Sequence, residues 1–390
     1  MNRRNRRLRA TLLIVAMVVI VGAGLALEAT HALRTTELSS VDERFKVRGT
    51  QPAPSNVVIV AIDDKTFNDL QEHFPFRRRW DARVINQLTK AKPAAIAYDV
   101  QFTEKTTDED DARLILAVRA ARNVVLATTE VSDTGTTNIF GGAGKDGGLP
   151  YSRGIPANSN YRVDVDDRIR KMPFSLQRLV SFPIAAATTA LGHKPDTPSG
   201  DSAWIDFPGP PGTIPRLSYS DVARGKFKPS DVRGKIVVVG ATAESLHDYH
   251  STSTSGGGLM AGPEIQAASM VTALAGFPLY GSPRWLDILL LVALGIAAPL
   301  TALRTRIFVA LGVGILALVL FLVGAQIAFN HNMILTVVYP ALAGVAALLA
   351  TAAIHGVTVA FEREQARDAF ARFVPEAVVD EVLRSADGIR

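Results

Sequence analysis

Four stretches of the chain are uncharged, or nearly so, over the length that a bilayer demands, and they constrain everything between them. Residues 10–27 carry no charge and directly follow a cluster of Arg3, Arg4, Arg6, Arg7 and Arg9. Residues 284–303 carry charge only at Arg284 and Asp287, and residues 307–329 carry none. From Met333 the chain stays uncharged as far as Phe361. A membrane helix needs about 20 mainly apolar residues, so each stretch qualifies. Transmembrane helices are expected over 10–27, 284–303, 307–329 and 333–356. The first has a second reading as a cleaved signal peptide. Its apolar run is longer than such a region needs, and Thr30-His31-Ala32 is only a fair cleavage site, which favours an anchor.

Positive charge orients the spans. The basic tail, residues 1–9, is expected in the cytoplasm, which puts residues 28–283 outside. Arg304 and Arg306 then mark a cytoplasmic turn, Asn330-His331-Asn332 an outer one, and Glu362-Arg363 the return to the cytoplasm. The expected protein is therefore a multi-pass membrane protein with both termini in the cytoplasm. The formal net charge of +5 is concentrated in the first residues, so it is no nucleic-acid signal. With no cysteine, disulfides, thiolate metal sites and thiol catalysis are excluded.

Between the first two spans, short continuous runs rich in Val and Ile read as strands buried on both faces: residues 57–62, 94–98, 124–127 and 236–239. Helical patterns separate them. Asp81 is expected to cap one helix, Asp108 or Asp110 the next, and residues 173–192 read as a third that ends at Gly192. Residues 131–165 read as a long surface insertion. Alternating strand and helix argues for an α/β domain with a mainly parallel sheet and flanking helices, carried on an all-α membrane region of four helices. Two of the buried strands run straight into acids, Asp63 and Asp64 after the first and Asp99 after the second. Ligands of open parallel sheets bind at the carboxyl ends of strands, so these acids are candidates to receive an amine, a metal or a polar small molecule. The other reading is that they cap the helices that follow, a common use of Asp.

Several motifs carry less than their spelling suggests. Gly142, Gly144 and Gly147 spell G-x-G-x-x-G, but Leu149-Pro150 follows where a dinucleotide site needs a helix N-terminus. Asp146 after Lys145 excludes a phosphate P-loop. The run 164–168, DVDDR, begins like a calcium loop without its glycine or distant Glu, and reads as a solvated turn. His247, Asp248 and His250 lack a further strong ligand nearby for a metal site. His355, late in the last span, is a functional suspect unless it simply reaches the interface. No nucleophile motif or triad is present, so no catalytic residue and no metal ligand is assigned.

The exported region resembles the second CHASE class of extracytoplasmic sensor domains of bacterial receptors. The stretches that carry the likeness are VVIVAIDDKTF, FPFRRRWDARVINQL with Arg78 at the family's Arg position, AIAYDVQF, and GKIVVVGATAESLHDYHSTSTSGGGLMAGPEIQAA with Asp248 and the Gly262-Pro263-Glu264 turn. Phe76 stands where the family usually has Trp, and Ser253 where Pro often follows Thr. The resemblance covers roughly residues 40–280 and implies three membrane helices after the sensor, the arrangement already read from hydropathy. It makes Asp63, Asp64, Arg78, Asp99 and Asp248 the candidate ligand-binding set, for an unknown extracytoplasmic ligand.

After the last span, residues 357–390 read as a cytoplasmic transmitter helix. EREQARDAFARFVPEAVVDEVL resembles the segment that precedes the catalytic domain of class III adenylate/guanylate cyclases, through Phe370, Phe373, Val374 and Pro375 and the apolar set Val378, Val379, Val382 and Leu383. That resemblance implies a homodimer paired through this stripe, acting on a C-terminal cyclase domain in cyclic-nucleotide signalling. No such domain lies within these residues, so no cofactor is expected here; a cyclase domain would need a divalent metal and a nucleoside triphosphate. The expected partners are a second copy, the lipid bilayer and the ligand, with no nucleic acid. Two alternatives are a stand-alone membrane ligand-binding protein and the sensor half of a kinase receptor.

Overall fold

The computed structural model describes residues 3–144 and 147–371. The chain divides into two compact units, one of residues 1–40 with 281–390 and one of Val41–Tyr280.

The first unit is helical. Its helices Arg3–Ala29, Arg284–Ala302, Ile307–Asn330 and Val338–Ala371 are long and apolar enough to cross a membrane. Large apolar side chains such as Val18, Phe308 and Leu349 stand exposed on them, as a lipid-facing surface would require. Where helices meet, small residues let the backbones approach. Gly24 faces Leu291 and Gly295 faces Val21, while a Cβ on Gly314 would lie 2.8 Å from that of Ala298. Asn5 donates to Gln365 at 3.1 Å and Arg9 to the Ala302 carbonyl at 3.1 Å, so these three helix ends lie together. The fourth helix begins at Val338, not at residue 333. Met333–Ile334 is a short strand. Beyond it the Thr336 amide donates to Asp287, and those of Val337 and Val338 donate to Glu37 at 2.8 Å. The helix-opening amides thus find carboxylates, which satisfies groups that an apolar sequence cannot serve itself. This helix continues without a break past residue 356 to Ala371.

The second unit is an α/β domain. Its main sheet has six strands, β1 (Val57–Ile62), β2 (Ala95–Asp99), β3 (Val124–Thr128), β4 (Ile155–Asn158), β5 (Arg216–Ser218) and β6 (Ile236–Ala241). All pairings are parallel, in the order β5-β1-β6-β2-β3-β4. Every residue of β1 and β3 is buried, which is why those runs are apolar without alternation. The four long apolar runs are strands as expected. β4 and β5 escaped notice because IPAN and RLS are short edge strands with little apolar signal.

Five helices matter to the site: α1 (Asp64–Leu70), α2 (Arg78–Ala91), α3 (Asp108–Ala121), α4 (Phe182–Leu191) and α5 (Gly262–Leu274). The stripe Val84, Ile85 and Leu88 of α2 is fully buried, as is Leu114 and Val118 of α3. Asp81 does not cap α2, whose N-cap is Arg77. It is buried inside the first turn and accepts the hydroxyls of Tyr98 and Tyr219, each at 2.7 Å. Thr107 caps α3, taking the Asp110 amide. The helix read over 173–192 starts only at Phe182, because Ser175–Leu176 and Leu179–Val180 pair as a hairpin; it ends at Gly192.

Candidate functional site

Alternation along β2 sends Tyr98 and Asp99 to opposite faces. Tyr98 packs on Phe102 with ring centroids 5.2 Å apart, and its neighbour Asp99 is left at the carboxyl end of the strand. There Asp99 pairs in register with Gly240 of β6. A Cβ on Gly240 would strike Pro263 and sit 3.2 Å from the Asp99 Cβ, so only glycine lets the start of α5 settle over this strand end. The strand Tyr249–Thr252 pairs with Met260–Ala261 and returns the chain to α5. That hairpin brings Asp248 to the start of α5: its carbonyl accepts the Gly262 amide at 2.9 Å, and its carboxylate lies where a Gly262 Cβ would be. His250 Nε2 is 3.2 Å from an Asp248 carboxylate oxygen.

Asp99 and Asp248 line one cavity of about 670 Å³, within the roughly 300–1,000 Å³ of small-molecule sites. It is walled by the residues that leave β2, β3, β4 and β6, four neighbouring strands of the sheet, and by α5. Tyr161, just after β4, donates to Gln266 at 2.9 Å and shares a hydrogen bond with Ser269 at 2.8 Å. Gln266 in turn donates to the Ser159 carbonyl at 2.9 Å. Phe74, Leu246, Ile169 and Ile265 supply apolar wall. Burial, and then the negative charge of Asp248, push the Asp99 carboxyl up to about 8. Burial also raises the Tyr161 hydroxyl, with Asp99 adding to the effect. Asp99 is half-buried, and the surface it exposes is cavity wall.

Of the five candidate residues, Arg78, Asp99 and Asp248 share this cavity. Asp63 and Asp64 do not line it. Asp63 is the N-cap of α1, accepting the Thr66 amide at 2.9 Å and the hydroxyls of Thr66 and Ser218 at 2.7 and 2.9 Å. Asp64 is exposed in the first turn of α1. The reason is topological: β6 lies between β1 and β2, so acids that follow similar strands end up apart. Arg78 is buried and committed to the wall itself. It donates to the Glu104 carbonyl at 3.1 Å, approaches Asp111 at 3.8 Å and lies over the Phe102 ring at 4.4 Å. Tyr161 and Gln266 went unnoticed in the sequence. The available signal was Gln266 with Ser269, which share this largely apolar helix with the polar residues Glu264 and Thr272, all four buried.

The run 164–168 is not a solvated turn. Asp164 and Asp166, with Asp42, hold the fully buried guanidinium of Arg170. Among the described residues no group of three His, Cys, Asp or Glu is placed to hold a metal ion. Gly141 and Gly142 have φ of 78° and 84°, and the helix that follows, Leu149–Ser152, is a single turn. Lys145 and Asp146 lie outside the described residues. So do Phe373, Val374 and Pro375, and the side chain of Phe370 is likewise not described.

No curated protein and no solved structure matches the chain. The sequence model of the CHASE2 domain matches residues 12–300, most of the chain, and the protein belongs to that family of extracytoplasmic sensor domains.

Proposed function

We propose that this membrane protein is the sensor and transmembrane regulatory region of a class III adenylate/guanylate cyclase receptor. A ligand bound outside the cytoplasm in the cavity beside Asp99 and Asp248 sets the state of the four helices, and the segment after them carries that state to a cyclase domain. The observation that carries the reading is the order of parts along one chain. A CHASE2 match over residues 12–300 runs through the first two apolar helices and is followed by two more and then by the cyclase-like Phe-x-x-Phe-Val-Pro segment at 370–375. Helices can relay a signal only as bodies that shift, turn or change partners. A two-fold pairing of the stripe through Phe370, Phe373 and Val374, re-started at Pro375, would set the spacing of two catalytic domains. The juxtaposition of Asn5, Arg9, Ala302 and Gln365 supports an alternating path of spans with both termini in the cytoplasm.

The test is a fusion in which residue 390 leads into a class III catalytic domain that works only when paired. Cyclic-nucleotide output above that of the free catalytic domain is expected, together with its loss in Phe373→Asp. Output equal to the free domain, or unchanged by Phe373→Asp, refutes the reading. A periplasmic reporter inserted at Gly144 and a cytoplasmic one after residue 390 should both be active; the reverse pattern overturns the orientation.

A further inference from the structure

The side-chain amides and the one guanidinium of the cavity wall are spent on neighbouring protein groups. Gln101 donates to the Thr129 hydroxyl, Asn160 to the Thr129 carbonyl at 3.1 Å, and Gln266 to the Ser159 carbonyl at 2.9 Å. The one guanidinium of the lining, Arg78, is held by the Glu104 carbonyl, Asp111 and the Phe102 ring. What remains is acceptor and negative charge. Asp99 and Asp248 lie on the wall, and Glu104 and Glu130 add two exposed carboxylates to the same lining. The partly buried Asp99 carboxylate on the cavity wall has neither a hydrogen bond nor an ion pair among the described residues, and a carboxylate drawn partly out of water is costly unless something reaches it. Asp248 meets only the His250 ring, at 3.2 Å.

We infer that this cavity takes a small organic cation, a protonated amine with an apolar body, whose ammonium group is received by Asp99 and Asp248. The inference rests on the reading of the cavity as the sensor's ligand site. The chemistry selects among alternatives. An anionic ligand would meet four carboxylates and no uncommitted cation. A bare metal ion lacks a third His, Asp or Glu placed with the pair. A neutral polar molecule would bring no counter-charge to Asp248, whereas an ammonium supplies both a charge for the pair and the donors. Phe74, Leu246, Ile169 and Ile265 provide the surface for the apolar body.

Binding is coupled to a proton. With its carboxyl at about 8, Asp99 is mostly protonated at pH 7 in the empty cavity, and an arriving cation drives the proton off. Affinity therefore rises with pH up to about 8 and levels above it. Facing Asp99 are Asp248 on the hairpin after β6 and Tyr161 after β4. The other titratable groups of the lining are Arg78 at the start of α2, Glu104 after β2, Glu130 after β3, and His250.

The experiment is calorimetry on the full chain in phosphatidylcholine nanodiscs, with 2-phenylethylamine and hexylamine as probes. 2-Phenylethanol and hexanol are the neutral matches, and phenylacetate and hexanoate the anionic ones. The amines should bind roughly tenfold or more tightly than either match, since hydrogen bonds to charged groups are the strong ones. At pH 7, titrations in buffers of different ionisation enthalpy should show a proton released. Asp99→Asn, which keeps the shape, should abolish both the preference and the release. Ala127→Phe, which fills the wall beside β3, should remove binding; its thermal transition shows whether it folds. Failure of the amines to bind, equal binding of the alcohols or acids, or an amine preference that survives Asp99→Asn overturns the inference. Alcohols or acids that bind and are lost in Ala127→Phe would leave the cavity as the ligand site while removing the cation class. The fusion assay judges the signalling reading separately.

Discussion

Arg170 is the largest fully buried side chain among the described residues, and its replacement by methionine measures what the acids around it do. Asp42 accepts its Nε and Nη2 at 3.0 and 2.7 Å, Asp166 its Nη1 and Nη2 at 2.7 Å each, and Asp164 its Nη1 at 3.2 Å. Asp42 is 5% exposed on its side chain, so the variant strands a buried carboxylate whose other ion pair is Arg168 at 3.1 Å. Breaking a buried pair from one side costs about 3–5 kcal/mol, because the surviving charge stays desolvated. For a domain of this size, 1 kcal/mol moves the melting temperature by about 2–4 °C, so a fall of roughly 6–20 °C is expected. The assay is thermal unfolding of the full chain in nanodiscs followed by tryptophan fluorescence. Trp204 is a local reporter, its ring lying 4.5 Å from the Nζ of Lys171, the residue next to Arg170. Adding Asp42→Leu to Arg170→Met should recover part of the loss, since paired removal of buried charges is far less costly than removal of one. A single Arg170→Met variant that melts at or above the parent temperature would refute the reasoning, and so would a double variant that is worse than additive.

Three further outcomes are expected. Gly262→Ala places a methyl against the Asp248 carboxylate, so it should displace Asp248 and weaken probe binding more than it lowers the melting temperature; unaltered binding would show that Asp248 need not sit there. Burial holds the Asp81 carboxyl up at about 6, against the opposing pull of the Tyr98 and Tyr219 hydroxyls and then Arg78. The folded state therefore keeps a proton that the unfolded chain has lost, and the stability it contributes is full near pH 4 and declines as pH rises to 6. Relative to Asp81→Asn, the parent should lose about 3 kcal/mol across that window in pH-dependent denaturation, at about 1.4 kcal/mol per unit; a difference that grows with pH is the wrong sign. Asp63→Ala removes the cap of α1 and should cost about 1 kcal/mol in urea denaturation while leaving probe affinity unchanged. Lost affinity would return Asp63 to the site.

The candidate site was half legible. Asp99 could be found because a strand buried on both faces has no alternation to confuse its end, and an acid there stands out. Asp63 satisfied the same rule and is a cap, because its own helix starts one residue later and offers amides within reach. Nothing local separates these two acids. Asp81 looked like a cap and is instead the acceptor of two tyrosines that come from positions 98 and 219. Asp164 and Asp166 looked like a turn; their partner Arg170 lies six and four residues on, and Asp42, 128 residues away in the chain, completes the set.

The sequence by itself determined the elements. The uncharged runs require a bilayer or a buried helix, and the Val- and Ile-rich runs require a sheet covered on both faces. Each of these follows from the chemistry of a few adjacent residues, which the chain cannot hide. The tertiary structure alone decided the order of the strands, and with it the site. Inserting β6, the last strand of this sheet in chain order, between β1 and β2 carries Asp63 away from Asp99 and brings Asp248, Tyr161 and Gln266 to it from remote positions. Strand order is set by how all the apolar faces are buried together, a property of the whole domain that no short stretch of residues contains.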